Sequence, residues 1–378
     1  MTETTTPTEL PTRTFTSRQA PWMTVGHVID EPDVDSQTAA RLGGLDFDVK
    51  LYPAGFRVGD ALDAETGELP GVLPQGEIAK LADEVGKAPN AEAMRKFGRR
   101  VPELLAHIAA LSGHTATDAR WVAFHGRNAV VNETTQMPYD VVSGDYVPVQ
   151  FSEAFTFMDA VNPRYVAAGT LKGGRQGFMV AQLSELTSLQ LDGLGPDGDS
   201  DPHDMFAVLR TSHDRSRGLE VALMGLRQRC MNSLGLRSFT RGAPQRWSIR
   251  HVGDVASKLQ AAQQVITNMT NYAAEYERMA RRLAETEVLL SDAEEILTHA
   301  LEDRPTRETT VNSIISAWNL SPYVGFKNTG WGLTQAVSEY FEWGRDTNVR
   351  TDQSRFLGVL EGSTAKAVNR VAQLVMTR

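Results

Sequence analysis

The sequence is poor in cysteine and has no long apolar run, and each shortage excludes a class of protein. Cys230 is the only cysteine in 378 residues, so neither an intramolecular disulfide nor a zinc site with several cysteines can form. No segment approaches the ~18 apolar residues of a transmembrane helix. The N-terminus is rich in Thr and carries Glu3 and Glu9, unlike a secretory signal. The sequence therefore predicts a cytoplasmic protein without a membrane partner.

Motifs that hold nucleotides or metals are also missing. The chain has no G-x-x-x-x-G-K-[ST] loop, and the glycines at 173–177 join two predicted strands, where a dinucleotide site needs a strand and a helix. Residues 197–201 resemble the start of a calcium loop, but Pro202 replaces the turn glycine and Val208 the closing Glu. We predict a solvated acidic loop there, no metal site and no cofactor.

The charge is unevenly distributed along the chain. The net charge of −9 argues against a nucleic-acid partner, because nucleic acid repels an acidic surface. Residues 210–251, however, contain nine arginines against Asp214 and Glu220, a net +7, so the remainder carries −16. The hydrophobic content of 41% and charged content of 22% exclude a wholly disordered chain.

The pattern of residues divides the chain into four regions and predicts an α+β fold. Residues 1–20 indicate a disordered tail, and 21–119 a mixed N-terminal appendage with helices at 37–42 and 92–111, a strand at 47–52 and a loop at 59–76. Residues 120–253 form the predicted β-hairpin core with the basic segment, and 254–378 a helical region. We expect an antiparallel hairpin sheet packed by a long helix.

Three hairpins are predicted, with turns at 125–128, 172–175 and 214–218, each containing at least one basic residue. A short helix is predicted to start at Ser152 and Glu153. The long helix begins after Asp254, a predicted N-cap, and Ser291 with Glu294 predicts the start of another. Three further helices are expected between Val311 and Arg378.

The long helix carries an apolar stripe with helical spacing. Such a stripe packs against a sheet or another helix of the chain, or forms a coiled coil between subunits. Because the stripe exceeds what a modest sheet covers, we predict a homo-oligomer. Its members include Val265, Ile266, Met269, Tyr272, Tyr276 and Met279.

The basic segment and the hairpin turns supply the candidate binding residues. Arginines contact phosphates, and a nearby aromatic ring offers a face on which unpaired bases stack. Charge pairing between protein surfaces and plain solvated charge are the competing interpretations. The predicted nucleic-acid-binding residues are Lys172, Arg175, Arg215, Arg217, Arg237, Arg241, Arg246, Trp247 and Arg250.

No catalytic residue is predicted. Ser212, His213 and Asp214 are the residue types of a hydrolytic triad, but neighbours on a strand point to opposite faces. A dyad of His213 with Cys230 would need the chain to fold back on itself. A strand end for His213 and a buried apolar position for Cys230 are the simpler interpretations.

Several short motifs occur in order along the chain. They are residues 44–47, 145–150 with 153–155, 171–175, 211–214, 229–232, 248–251, and 331–332 with 339–340. Together these motifs resemble the phage/plasmid-like protein family, a domain of unknown function. Trp343 departs from the pattern, since a histidine is usual there. The resemblance implies a phage or plasmid origin, and hence a host cytoplasm, but no established activity.

The outline of basic hairpins followed by a long helix is also similar to phage single-strand annealing proteins. We therefore expect a DNA-metabolism protein that binds nucleic acid, with single-stranded DNA favoured, and the similarity in outline implies an annealing-like activity. The alternatives are a structural or host-interaction protein whose basic face binds an acidic protein, and an enzyme.

Overall fold

The computed structural model describes residues 18–58, 120–182, 188–195, 198–237, 244–249, 255–319, 327–344 and 351–378. The predictions for residues 59–76 and 92–111 and for Asp254 lie outside these ranges, as does most of the predicted tail. The α+β prediction is confirmed. The chain divides into two compact units, residues 49–148 and residues 1–48 with 149–378.

The first strand and helix of the larger unit are β1, His27–Val28, and α1, Ser36–Leu42. Asp35 caps α1, because its carboxylate accepts a hydrogen bond from the Thr38 N–H at 2.7 Å. The helix predicted at 37–42 is thereby confirmed.

The smaller unit is a three-stranded antiparallel sheet in the order β2, Val49–Val58, β3, Arg120–Asn132, and β4, Pro138–Ser143. The hairpin predicted with a turn at 125–128 is wrong, because β3 runs through these residues. Its pairing with β2 shifts register between Pro53 and Gly55, and Gly126 has φ +64°. The same residue types therefore form a bulge within a strand.

The larger unit continues with α2, Phe151–Ala154, and a 3-10 helix, Thr156–Val161. The central strands then follow in sequence. They are β5, Arg164–Leu171, β6, Gln176–Gln182, β7, Ser188–Asp192, β8, Ser200–Ser212, β9, Leu219–Arg227, β10, Ser233–Leu234, and β11, Arg246–Ile249.

Among the described residues, these strands and β1 form one antiparallel sheet in the order β1-β5-β6-β8-β9-β10, with β7 on β8 and β11 on β9. The second and third predicted hairpins are confirmed as β5–β6 and β8–β9. Every residue of β6 and β9 is buried. Both faces of the sheet are therefore covered.

The helices that complete the larger unit begin with the long helix α3, Val255–Glu285. They continue with α4 (Leu290–Ala300), α5 (Arg307–Asn319), α6 (Gly330–Glu339), α7 (Asp352–Leu360) and α8 (Ser363–Met376). A π-helical turn, Tyr340–Gly344, directly follows α6. Two predictions need correction. Asp292, not Glu294, accepts a hydrogen bond from the Leu289 N–H at the start of α4. Gly362 separates α7 from α8, which were predicted as a single helix.

Two apolar layers sandwich the sheet. On one face, Met269, Tyr272 and Tyr276 of α3 join the main core and are fully buried. On the other face, Trp22 packs on Phe206 with ring centroids 4.8 Å apart, and α7 adds apolar side chains to this same layer. The predicted stripe is thus core within the chain. Homo-oligomerisation stays a prediction, without this stripe as its basis.

One close approach between α3 and the sheet gives a packing test. A Cβ at Gly225 of β9 would lie 2.8 Å from Cζ of the Tyr276 ring. We expect Gly225→Ala to lower the free energy of unfolding by about 1–3 kcal/mol, because the ring cannot move out of the core. Gly218→Ala is the control, since no atom lies within 4 Å of its Cβ, and should change stability by less than ~0.5 kcal/mol. Urea unfolding measures both, and equal effects would contradict the packing argument.

Candidate nucleic-acid interface

The tips of the two confirmed hairpins lie side by side. Because β6 pairs with β8, the His213 N–H donates to the Arg175 carbonyl at 2.9 Å, and Gln176 Nε2 donates to Ser216 Oγ at 2.7 Å. Lys172 and Arg215 adopt positive φ of 53° and 54° in their turns. The structure therefore brings together three predicted residues, Lys172, Arg175 and Arg215, all with exposed side chains.

Arg217, also in the third hairpin, points into the fold and not into solvent. Its side chain is 18% exposed, and its Nη1 donates to Glu220 at 2.8 Å. Its Nη2 donates to Glu361, at the C-terminal end of α7. This arginine is consequently held in place by two carboxylates of the same chain.

Arg210 and Arg246 share the same two carboxylates. Arg210, fully buried on β8, donates to Glu220 at 3.2 Å and to Glu361 at 3.0 Å. Arg246, 29% exposed on β11, lies 2.8 Å from Glu220 through Nε, and its Nη1 donates to Glu361 at 3.3 Å. We call this set of three arginines and two glutamates the arginine cradle. Burial alone would raise the pKa of Glu361, but the hydrogen bond and charge of Arg210, with the charges of Arg217 and Arg246, lower it.

A groove of about 800 Å³ opens beside the arginine cradle. Arg246 and Glu361 line one part of it, and Arg237 lines it from the segment that follows β10. The Arg237 N–H donates to Asn369 Oδ1 of α8, which ties that segment to the helix. The predicted residues Arg237 and Arg246 therefore meet in one concave surface.

The sequence analysis did not predict two of the cationic residues that line this groove. Lys366 and Arg370 line it from α8, more than 110 residues after the basic segment. Lys366 is exposed, and Arg370 also pairs with Glu302 and Asp303. Their i,i+4 spacing on one face of a helix was the available signal. That signal shows a shared face, but not that the face meets Arg237.

Trp247 does not lie in the groove. It pairs with Val221 on the sheet, and its ring is half-buried against the main core. The face predicted to stack on bases is thus largely occupied by protein. Arg241 and Arg250 lie outside the described residues.

Most arginines described in the basic segment are paired within the chain. Besides the three of the arginine cradle, Arg227 pairs with Asp201 at 2.8 Å and Arg229 with Asp199. Arg215 and Arg237 have exposed side chains, whereas Arg210 and Arg227 are fully buried. The net +7 of the sequence therefore overstates the charge that this segment presents to a partner.

The acidic loop prediction requires a correction at Asp201. This residue is fully buried, and Arg227 Nε lies 2.9 and 2.8 Å from its two carboxylate oxygens. His203 Nδ1 donates to the Asp201 carbonyl at 3.0 Å, and burial lowers the pKa of His203 to about 4. Asp199 keeps the predicted solvent exposure, with half its side chain accessible, and Asp197 lies outside the described residues.

The dyad of His213 with Cys230 is wrong. In the antiparallel β8–β9 pair, His213 follows β8 beside the start of β9, whereas Cys230 follows the end of β9. The length of β9 separates them, which is roughly 25 Å at 3.3 Å per residue. His213 stacks on Phe151 at 3.8 Å, and burial raises the pKa of Cys230 to about 11. The simpler interpretations are confirmed, since His213 directly follows the last residue of β8 and Cys230 is fully buried.

A buried polar cluster near the end of α6 was not predicted. Glu342, in the π-helical turn, accepts hydrogen bonds from the Ser233 N–H at 2.9 Å and from Ser338 Oγ at 2.6 Å. Gln335 lies one helical turn before Ser338, with its Oε1 3.3 Å from Asn232 Nδ2. Burial raises the pKa of Glu342 to about 7, against the opposing hydrogen bonds from the two serines.

The residues described contain no group of three or more His, Cys, Asp or Glu side chains placed to hold a metal ion. No described helix is long and apolar enough to cross a membrane.

The family model described as Domain of unknown function (DUF932) matches residues 138–362, more than half of the chain. No curated protein and no solved structure matches it.

Proposed function

Since the chain belongs to the Domain of unknown function (DUF932) family, which carries no established activity, we propose a function from its groove: binding of single-stranded nucleic acid through backbone phosphates. The observation that carries the proposal is the convergence of Arg237, Arg246, Lys366 and Arg370 on one concave surface. Among the described residues that line it, Glu361 is the one acidic residue. Such a surface attracts a polyanion even though the whole chain carries −9.

The size and lining of the groove favour a single strand. A groove of about 800 Å³ has the volume of a site that encloses a short flexible segment, whereas a duplex is a thick convex rod. The described part of the lining has arginine, lysine, Asn369, Gln245 and Gln373 side chains but no aromatic ring. Contacts would therefore go to phosphates and sugars, which carry no sequence information.

The paired hairpin tips extend the proposed surface. Lys172, Arg175 and Arg215 are exposed on adjacent hairpin tips, so they are proposed to contact further phosphates of the same strand. The proposal includes the phage or plasmid origin that the resemblance implies, and a role in the DNA metabolism of that element. It makes the protein a binding protein and not an enzyme.

Removing two groove cations tests the proposal. We expect Arg237→Ala with Lys366→Ala to weaken the binding of fluorescent oligothymidylate about tenfold and of other sequences alike. The slope of log affinity against log salt should become shallower by about 0.7 for each lost contact with a single strand. Fluorescence anisotropy at several salt concentrations measures both quantities.

Arg278→Ala with Arg281→Ala is the matched control, because it removes the same charge from exposed positions of α3 outside the groove. This control should bind nearly as the wild type does. Equal losses in the two double variants would exclude the groove as the site. No binding by the wild type at low salt would exclude the function, and binding to an acidic protein without any to DNA would favour the alternative.

A further inference from the structure

The arginine cradle is short of one negative charge. Arg210, Arg217 and Arg246 carry three positive charges, and Glu220 and Glu361 carry two negative ones. The five side chains range from 0 to 29% exposed. A charge that is withdrawn from water without a counter-ion is costly, so this set is more stable with a further anion.

The arginine cradle also has unused hydrogen-bond donors. Among the residues described, the Nε and Nη1 atoms of fully buried Arg210 have no hydrogen-bond partner, and neither does Nε of Arg217. A guanidinium presents five N–H donors in a fixed fork that matches the oxygens of phosphate. Two carboxylates therefore do not satisfy all the donors of three such forks. The unpartnered atoms of Arg210 are themselves buried, so an oxyanion would meet the partly exposed Arg217 and Arg246.

The groove gives access to the arginine cradle. Arg246 and Glu361 belong to both, and Arg246 is fixed there by its Nη2, which donates to the Leu360 carbonyl at 2.6 Å. A strand that lies along Arg237 and Lys366 would thus pass the mouth of the cradle. A phosphodiester carries one negative charge, which equals the missing charge.

We propose that the arginine cradle binds one phosphate group of the strand held in the groove, as a third anion beside Glu220 and Glu361. This inference rests on the proposed function for the source of the phosphate. Arg217 and Arg246, the partly exposed members, make the direct contacts, and buried Arg210 supplies charge behind them. The cradle then fixes the position of the strand, while the remaining groove cations contribute attraction that depends on salt.

Opposite changes to the arginine cradle test the proposal. Glu361→Gln removes a competing anion and should tighten oligothymidylate binding about tenfold, whereas Arg246→Gln should weaken it by about the same factor. A gain of affinity cannot come from misfolding, so Glu361→Gln keeps the test decisive if Arg246→Gln proves unstable. Arg229→Gln is the matched control, because Arg229 pairs with Asp199 at the opposite end of the β8–β9 hairpin.

A second arm uses inorganic phosphate as the probe, with chloride at equal ionic strength as the reference. We expect phosphate to raise the melting temperature of the wild type and of Arg229→Gln, to raise it further for Glu361→Gln, and to have no effect on Arg246→Gln. This arm does not depend on nucleic-acid binding.

The two arms separate the two proposals. An effect of phosphate that depends on the cradle, without oligothymidylate binding, would establish the anion site and exclude the strand as its source. Oligothymidylate binding that neither cradle variant changes would leave the groove function standing and overturn the cradle as its phosphate site. Equal phosphate effects in all four proteins would overturn the cradle in any case.

Discussion

Asp201→Asn should lower the free energy of unfolding by about 3–5 kcal/mol, the cost typical of breaking a buried ion pair from one side. Asp201 and Arg227 are both fully buried, and the carboxylate holds Arg227 Nε between its two oxygens. An amide removes the negative charge but leaves the guanidinium withdrawn from water. Urea unfolding followed by circular dichroism at neutral pH measures the difference.

Asp199→Asn is the control for this prediction. It removes the same charge two residues earlier, where Asp199 pairs with Arg229 and half of its side chain is exposed. Surface ion pairs contribute about 0–1 kcal/mol, so this variant should stay within that range. Equal destabilisation by the two variants would contradict the view that burial makes Asp201 important.

The wild type should lose stability as the pH rises from about 4.5 to 7, and Glu342→Gln should abolish this loss. The pKa of Glu342 is raised from 4.5 to about 7 in the folded state, so the native state binds a proton that the unfolded state has lost in this window. Stability then falls as pH rises, up to a total on the order of 3 kcal/mol, and stays level above pH 7. The variant has no such group and should show no such fall.

Unfolding free energies from urea titrations at pH 5, 6, 7 and 8 test this expectation. The nearby charge is Arg355, which lowers the pKa of Glu342 less than burial raises it, so the direction of the effect is fixed by burial. Glu339→Gln, a partly exposed neighbour that pairs with Arg18, reports the ordinary cost of removing a carboxylate, about 0–1 kcal/mol. Parallel pH curves for wild type and Glu342→Gln would contradict the prediction.

We expect Asp201 and Glu342 to act on stability and not in catalysis, because their carboxylates are held by neighbouring groups of the chain. Asp201 holds Arg227, and Glu342 accepts from Ser233 and Ser338 in the interior. Glu342 joins segments far apart in the chain, since Ser233 and Glu342 are separated by 109 positions, whereas Asp201 and Arg227 are 26 positions apart. Their expected effect is on stability, which separates them from the groove residues, whose expected effect is on binding.

The sequence by itself determined the elements that local pattern governs. The hairpins β5–β6 and β8–β9 follow from short β-type runs around glycine-containing turns, and α3 follows from apolar residues at helical spacing. The burial of α3 against the sheet was also predictable, because a single helix cannot leave such a stripe in water. The hairpin at 125–128 failed because turn residues also form bulges, and pairing with β2 decides between them.

Only the tertiary structure decided which arginines face a partner. Glu361 pairs with Arg210 and Arg246 from 151 and 115 positions away, and Lys366 and Arg370 reach the groove from the last helix. Local sequence gives the number of charges in a segment, but Coulomb interactions depend on distances in space and on burial. The clustering of arginine was therefore visible in the sequence, whereas its division between internal ion pairs and an open groove required the fold.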